Sequence, residues 1–161
     1  MEGDFNVNMI NQSVKIIIQS NHKRVFDYVS DLRNDKFWRA EVESTFLEGP
    51  NGLGNIANEI SFLSVRVPEY NQSLECVMYI PGREITYQTL PGNSHYLISK
   101  RQVKILSENV TEFSYNLAFN ASLVKHGLGF SIPNFISQIV TKRSMKKYMK
   151  VLKNIMEAKM Q

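Results

Sequence analysis

Turn chemistry punctuates this chain from residue 42 to residue 121 at intervals that fit β-strands and nothing longer. The breaks are Gly49–Pro50–Asn51–Gly52, Pro81–Gly82, Pro91–Gly92–Asn93 and Glu108–Asn109, with a further one at Ser64–Pro68. Between them the pattern predicts six strands, over 41–48, 54–63, 69–79, 84–90, 94–106 and 110–121. Upstream, Val14, Ile16 and Ile18 alternate with Lys15, Ile17 and Gln19, which predicts a first strand. Ser20 or Asn21 can cap a short helix through Arg24–Val29 that ends near Asp31. A second short helical piece covers Asp35–Arg39 and carries the lone tryptophan, Trp38, as core filler. A glycine-containing loop, His126–Gly129, precedes one long helix. Strands followed by a closing helix imply an α+β fold in which an antiparallel sheet holds the helix on its concave face.

That last helix has an apolar stripe that changes sides. At about 100° per residue, Ile132, Phe135, Ile136, Ile139 and Val140 cluster on one face. Beyond Thr141 the apolar residues Met145, Tyr148, Val151, Leu152, Ile155 and Met156 cluster on the opposite one, and Lys142, Arg143, Lys146, Lys147, Lys150 and Lys153 take over the first. Either the helix kinks near Thr141–Ser144, or it runs straight and exposes the apolar side of its first half. In the straight case Asn134, Ser137, Gln138 and Thr141 face the cavity. The apolar patch beside the lysines then suits an anionic membrane surface or a protein partner.

Charge is unevenly spread. The chain has 161 residues and a net charge of +4, yet residues 131–161 hold seven Lys or Arg against one acid, Glu157. The basic balance belongs to the last helix. Its cations are not interleaved with aromatics, so nucleic acid is not an expected partner. No run approaches the ~18 apolar residues of a membrane span, and the first ten residues do not read as a signal peptide. With a single cysteine, Cys76, no internal disulfide can form, and the expected location is cytoplasmic. A length of this order reads as one domain, 1–161, with residues 1–11 as a tail leading into the first strand.

The element order, the phrase Val25-Phe26-Asp27-Tyr28-Val29-Ser30-Asp31-Leu32 followed by Trp38, and the Gly49–Gly52–Gly54 turn together resemble the START/Bet v 1-like (SRPBCC) superfamily. The similarity is nearest to its polyketide cyclase/dehydrase and lipid-transport branch and covers about residues 12–158. It implies a helix-grip fold, in which a curved seven-stranded antiparallel sheet with two short helices wraps a long C-terminal helix around an internal cavity. It also implies an apolar ligand such as a lipid, isoprenoid or polyketide, and in some members an enzyme. Fold likeness alone does not choose among these.

Period-two alternation selects the side chains expected to face inward. They are Ile56, Asn58, Ile60 and Phe62 in one strand, then Tyr70, Gln72, Leu74, Cys76 and Met78. Ile85, Tyr87 and Thr89 follow, then Leu97, Ser99, Arg101, Val103 and Ile105, and last Phe113, Tyr115, Leu117, Phe119 and Ala121. Apolar walls with a few polar groups are the usual make-up of a small-molecule pocket. The expected ligand-binding set is therefore Asn58, Phe62, Gln72, Leu74, Met78, Tyr87, Ser99, Arg101, Phe113, Tyr115 and Phe119, with Phe135 and Ile139 from the helix. Asn58, Gln72, Ser99 and Arg101 would orient a polar end, and the final helix with the His126–Gly129 loop would gate access.

Arg101 is the pivotal residue. An inward guanidinium must be paired, either by a carboxylate of the chain or by a ligand. With Tyr87 or Tyr115 it could polarise a carbonyl and move protons, as a cofactor-independent aromatase or cyclase would require. His22, His95 and His126 lie far apart in sequence and suggest no metal site, no phosphate-binding glycine loop occurs, and no cofactor is expected. Cys76 reads as a buried, inert thiol and Glu41 and Glu43 as solvated surface. The expected function is carriage or sequestration of a hydrophobic small molecule. The alternatives are a polyketide cyclase-type enzyme and a peripheral membrane lipid-binding protein docked through its last helix.

Overall fold

The structure is a computed structural model and describes residues 8–158. Of the N-terminal tail expected over 1–11, residues 1–7 lie outside the described residues. The elements are β1 (Met9–Ile18), α1 (His22–Ser30), a 3-10 turn (Leu32–Phe37), β2 (Val42–Leu47), β3 (Ile56–Ser61), β4 (Tyr70–Ile80), β5 (Glu84–Thr89), β6 (Leu97–Ser107), β7 (Val110–Asn120), α2 (Ala121–Leu128) and α3 (Asn134–Ala158). All seven strands form one antiparallel sheet in the order β1-β7-β6-β5-β4-β3-β2. The meander from β2 to β7 thus stays in sequence order, and β1 closes the far edge against β7.

Local chemistry sets the boundaries. Asn21 caps α1, its side chain accepting from Lys23 N at 2.9 Å, and Asp31 caps the 3-10 turn in the same way through Arg33 N at 3.0 Å. The short helix α2 replaces the loop expected at its position. Asn120 caps it, accepting from Ser122 N at 2.9 Å, and Gly129 ends it in the left-handed region at φ 84°.

The long helix α3 is continuous over 25 residues, so there is no break at Thr141–Ser144. Its buried side is Ser137, Met145, Met149, Leu152 and Met156. At its far end Lys153 Nζ donates to Ile17 O at 2.7 Å, and Gln19 N donates to Glu157 Oε1 at 2.9 Å, which ties the last turns to β1. The side-switch in the sequence is thus met by exposure: Phe135, Ile136, Ile139 and Val140 face solvent.

Two strands depart from the expected inner faces. In β3 the buried residues are Ala57, Glu59 and Ser61, not Asn58 and Ile60. Cross-strand partners share a face, and Ala57 pairs with Leu74 and Glu59 with Gln72, both on the buried side of β4. In β4 a bulge between Cys76 and Met78 shifts the alternation. Met78 turns outward, and Tyr79 swings in against Phe26, with ring centroids 5.8 Å apart. Ile105, at the far end of β6, is exposed as well.

Candidate ligand pocket

The 3-10 turn delivers the first functional group. Asp35, fully buried, projects from it toward the centre of the sheet. Arg101 on β6 meets it with two parallel bonds, Nη1 to Oδ1 at 2.7 Å and Nη2 to Oδ2 at 2.6 Å. A third bond runs from Arg101 Nη1 to Val29 O at 2.8 Å. The guanidinium lies 5.2 Å from the Trp38 ring and 5.4 Å from the Tyr115 ring, so its faces are also occupied. Trp38 itself is buried edge-on against Phe113 and Tyr115.

Arg39 extends the network. It donates to Asp35 Oδ2 at 2.9 Å, to Glu41 Oε1 at 2.7 Å and to Glu59 Oε2 at 3.3 Å. Glu59 Oε1 in turn accepts from Ser61 Oγ at 2.8 Å and Gln72 Nε2 at 3.0 Å. Glu41, read from sequence as surface, is a member of this cluster. Two guanidiniums and three carboxylates therefore share one buried site. Burial opposes the charge on each arginine, but its neighbours outweigh it: Tyr115, then Glu41, Glu59 and Asp35, hold Arg39 well above its ordinary value, and Asp35 raises Arg101.

Beside this cluster the interior narrows to a cavity of about 10 Å³, bounded by Arg39, Gln72, Ser99, Arg101 and Tyr115 and capped by leucines. That volume holds no more than a single water, so the ligand cavity implied by the resemblance is closed here. Three buried polar atoms with no protein partner belong to residues of its wall: Gln72 Oε1, Ser99 Oγ and Tyr115 Oη. Tyr115 stands directly across from Arg101 in the β6–β7 ladder. Burial raises its hydroxyl above the ordinary range, with Arg39 and Arg101 pulling the other way, so it stays protonated.

The other expected site residues are scattered. Leu74, Phe113 and Phe119 are buried. The Tyr87 hydroxyl is already used, accepting from Asn55 at 3.3 Å and donating to Asn51 at 3.4 Å under the β2–β3 turn; burial pushes it up to about 12. Asn58 lies on the opposite face, bonded to Glu48 at 3.0 Å and Ser73 at 2.6 Å. Phe62, Met78, Phe135 and Ile139 are 48%, 44%, 63% and 54% exposed and line no interior wall. Cys76 is buried, its thiol pushed up to about 11 by burial, as an inert core thiol should be.

One grouping escapes any reading of sequence spacing. His95 and His126, 31 positions apart, come within 5.1 Å between ring centroids, with the Tyr70 ring 6.2 Å and 5.9 Å from them. His95 Nδ1 is 2.7 Å from Ser122 Oγ. The sheet order brings the start of β4, the β5–β6 turn and α2 to one end, which no local pattern encodes. Among the described residues no group of three or more His, Cys, Asp or Glu could hold a metal ion.

The sequence matches no family model and no curated protein. Solved structures match over nearly the whole chain. A START superfamily protein from Mycobacterium smegmatis has a TM-score of 0.74 at 10% identity, covering 92% of this chain and 97% of that one. The Zhui aromatase/cyclase from Streptomyces sp. R1128 has a TM-score of 0.73 at 13% identity, covering 96% and 97%. Truncated norcoclaurine synthase from Thalictrum flavum has a TM-score of 0.61 at 10% identity, covering 93% and 96%. This chain adopts the START/Bet v 1-like helix-grip fold. Among the described residues no helix is long and apolar enough to cross a membrane.

Proposed function

We propose that this protein binds a hydrophobic small molecule with one polar end, and carries or sequesters it. The observation that supports this reading is the convergence of Gln72, Ser99 and Tyr115, each with a buried unpartnered oxygen, on one interior space. Buried polar atoms without partners are uncommon and costly, and a ligand carbonyl or hydroxyl would satisfy two or three of them. Leu32, Leu74, Leu97 and Leu117 offer the apolar contact for the rest of the molecule. At about 10 Å³ the space must widen on binding, so ligand affinity includes the cost of moving its lining side chains apart. The lone, buried Cys76 suits a cytoplasmic setting.

Native mass spectrometry of the purified protein, followed by denaturing extraction, tests this. A retained lipid, isoprenoid or polyketide-like compound is the expected result. Ser99→Phe, which fills the space, should abolish retention. Failure of the parent protein to retain or take up any apolar probe would overturn the reading.

A cyclase-type enzyme is the second reading, favoured by Tyr115 opposite Arg101. A phenol held protonated beside two guanidiniums can donate a proton to a carbonyl or enolate oxygen. Asp35 and Val29 engage both Nη1 hydrogens and one Nη2 hydrogen of Arg101, so in this reading it acts chiefly through its field. Tyr115→Phe should then remove turnover while leaving binding nearly intact.

A further inference from the structure

Between Glu112 and Glu157 the sequence contains no Asp or Glu. Within that acid-free stretch the continuous α3 presents two parallel strips to solvent. At about 100° per residue, Phe135, Ile139, Lys142 and Lys146 lie within about 60° of one another, and all four are exposed. Ile136, Val140, Arg143 and Lys147 form a second strip of the same width, about 60°, and are also exposed. Each strip is two apolar residues followed by two cations. The approach to the helix adds exposed Leu128 and Phe130, and the Arg66 guanidinium lies against Gly129 beside them.

The chain's own core does not claim this surface, because α3 already buries its Ser137–Met156 side. A second copy of the chain is a poor occupant. An isologous contact would set the cationic strips against themselves with no acid on the first half of the helix to compensate. Nucleic acid would use the cations and leave Phe135, Ile139 and Phe130 wet. An anionic bilayer uses both halves: apolar side chains enter the acyl boundary while the lysines one and two turns on reach the headgroups.

We propose that the first half of α3, with the Leu128–Phe130 approach, is a docking surface for an anionic lipid bilayer. The proposal stands whether or not the internal pocket takes a ligand. It is tested by co-sedimentation of the full chain with vesicles of phosphatidylcholine containing phosphatidylglycerol, against phosphatidylcholine alone. The protein should sediment with the anionic vesicles and be released by high salt. Neutralising two cations, Lys142→Gln with Lys146→Gln, should weaken binding about thirtyfold. Phe135→Ser with Ile139→Ser should weaken it about a hundredfold through lost apolar burial. All four positions are exposed, so both variants should melt at the parent temperature. As an independent readout, Ile139→Trp should show a blue-shifted emission, quenched by brominated lipid, when anionic vesicles are added. Three results would overturn the proposal: no sedimentation of the parent with anionic vesicles at low salt, loss with the lysine variant but none with the apolar one, or a dimer in solution that Ile139→Ser dissolves.

Discussion

Beneath the second half of α3 the interior is Met145, Met149, Leu152 and Met156, each at most 2% exposed, whereas beneath the 3-10 turn it is Asp35, Arg39, Glu59 and Arg101, at most 7% exposed. Both regions are equally dry, and they hold together by different rules. The methionine end gains from area removed from water and tolerates changes of shape, since methionine repacks. The ionic end gains little beyond the cost of desolvating its charges, but it fails sharply if one member is taken away. The difference separates stability from specificity. One region supplies a forgiving seat for the helix, and the other fixes the 3-10 turn, β2, β3 and β6 in a single arrangement around the small cavity.

The largest effect should come from breaking the ionic end. Asp35→Ala leaves Arg101 and Arg39 buried without their shared partner and should cost about 3–5 kcal/mol in chemical denaturation. Replacing the pair together, Asp35→Leu with Arg101→Met, should recover most of that loss. If the double variant is as unstable as the single one, the two regions do not differ in the way described. Next in size, Leu152→Ala at the apolar end should cost about 2–5 kcal/mol by cavity formation, and Leu152→Met in the same position below about 1.5 kcal/mol. Tyr115→Phe should shift stability by less than about 1 kcal/mol, because its hydroxyl has no partner to lose. A larger loss would reveal a hidden partner in the pocket.

The smallest effect concerns the histidine pair. Burial, then the neighbouring His126, lowers the His95 pKa from its usual 6.5, so the folded state resists protonation there. The contribution is fully present above the unfolded value, about 6.5, and is lost as pH falls through the lower folded one. Stability measured across that range should therefore decline toward acid, and His95→Gln should flatten the slope. An unchanged slope would mean that His95 is not the group responsible.

Much of the strand series was legible because Gly–Pro and Asn–Gly pairs are local signals, and the inner faces of β5, β6 and β7 followed from simple alternation. The failures have particular causes. In β3, Ile56 and Ile60 look more inward than Glu59, so alternation alone points to the wrong face. Glu59 is admissible inside only because Arg39, twenty positions away, turns back from the 3-10 turn to meet it. Met78 faces outward because of a bulge that leaves no mark in residue type. For Arg101 the need for a partner was readable, but its identity, Asp35, was not. The helix α2 was hidden because Ala121–Leu128 continues the apolar composition of β7, and its cap, Asn120, also fits a strand end.

The ties at the end of α3 have a mechanical consequence. Lys153 and Glu157 hold its last turns to β1, while at the other end Asn134 reaches Asn8 and Ser137 packs beneath. A helix of 25 residues is about 37 Å long, so once the Asn134–Asn8 contact is released a tilt of about 10° about the C-terminal ties moves the Asn134 end by roughly 6 Å. Leverage of that kind lets a small rotation among pliable methionines become a wide parting at Asn134, while the charged cluster beneath the 3-10 turn stays still.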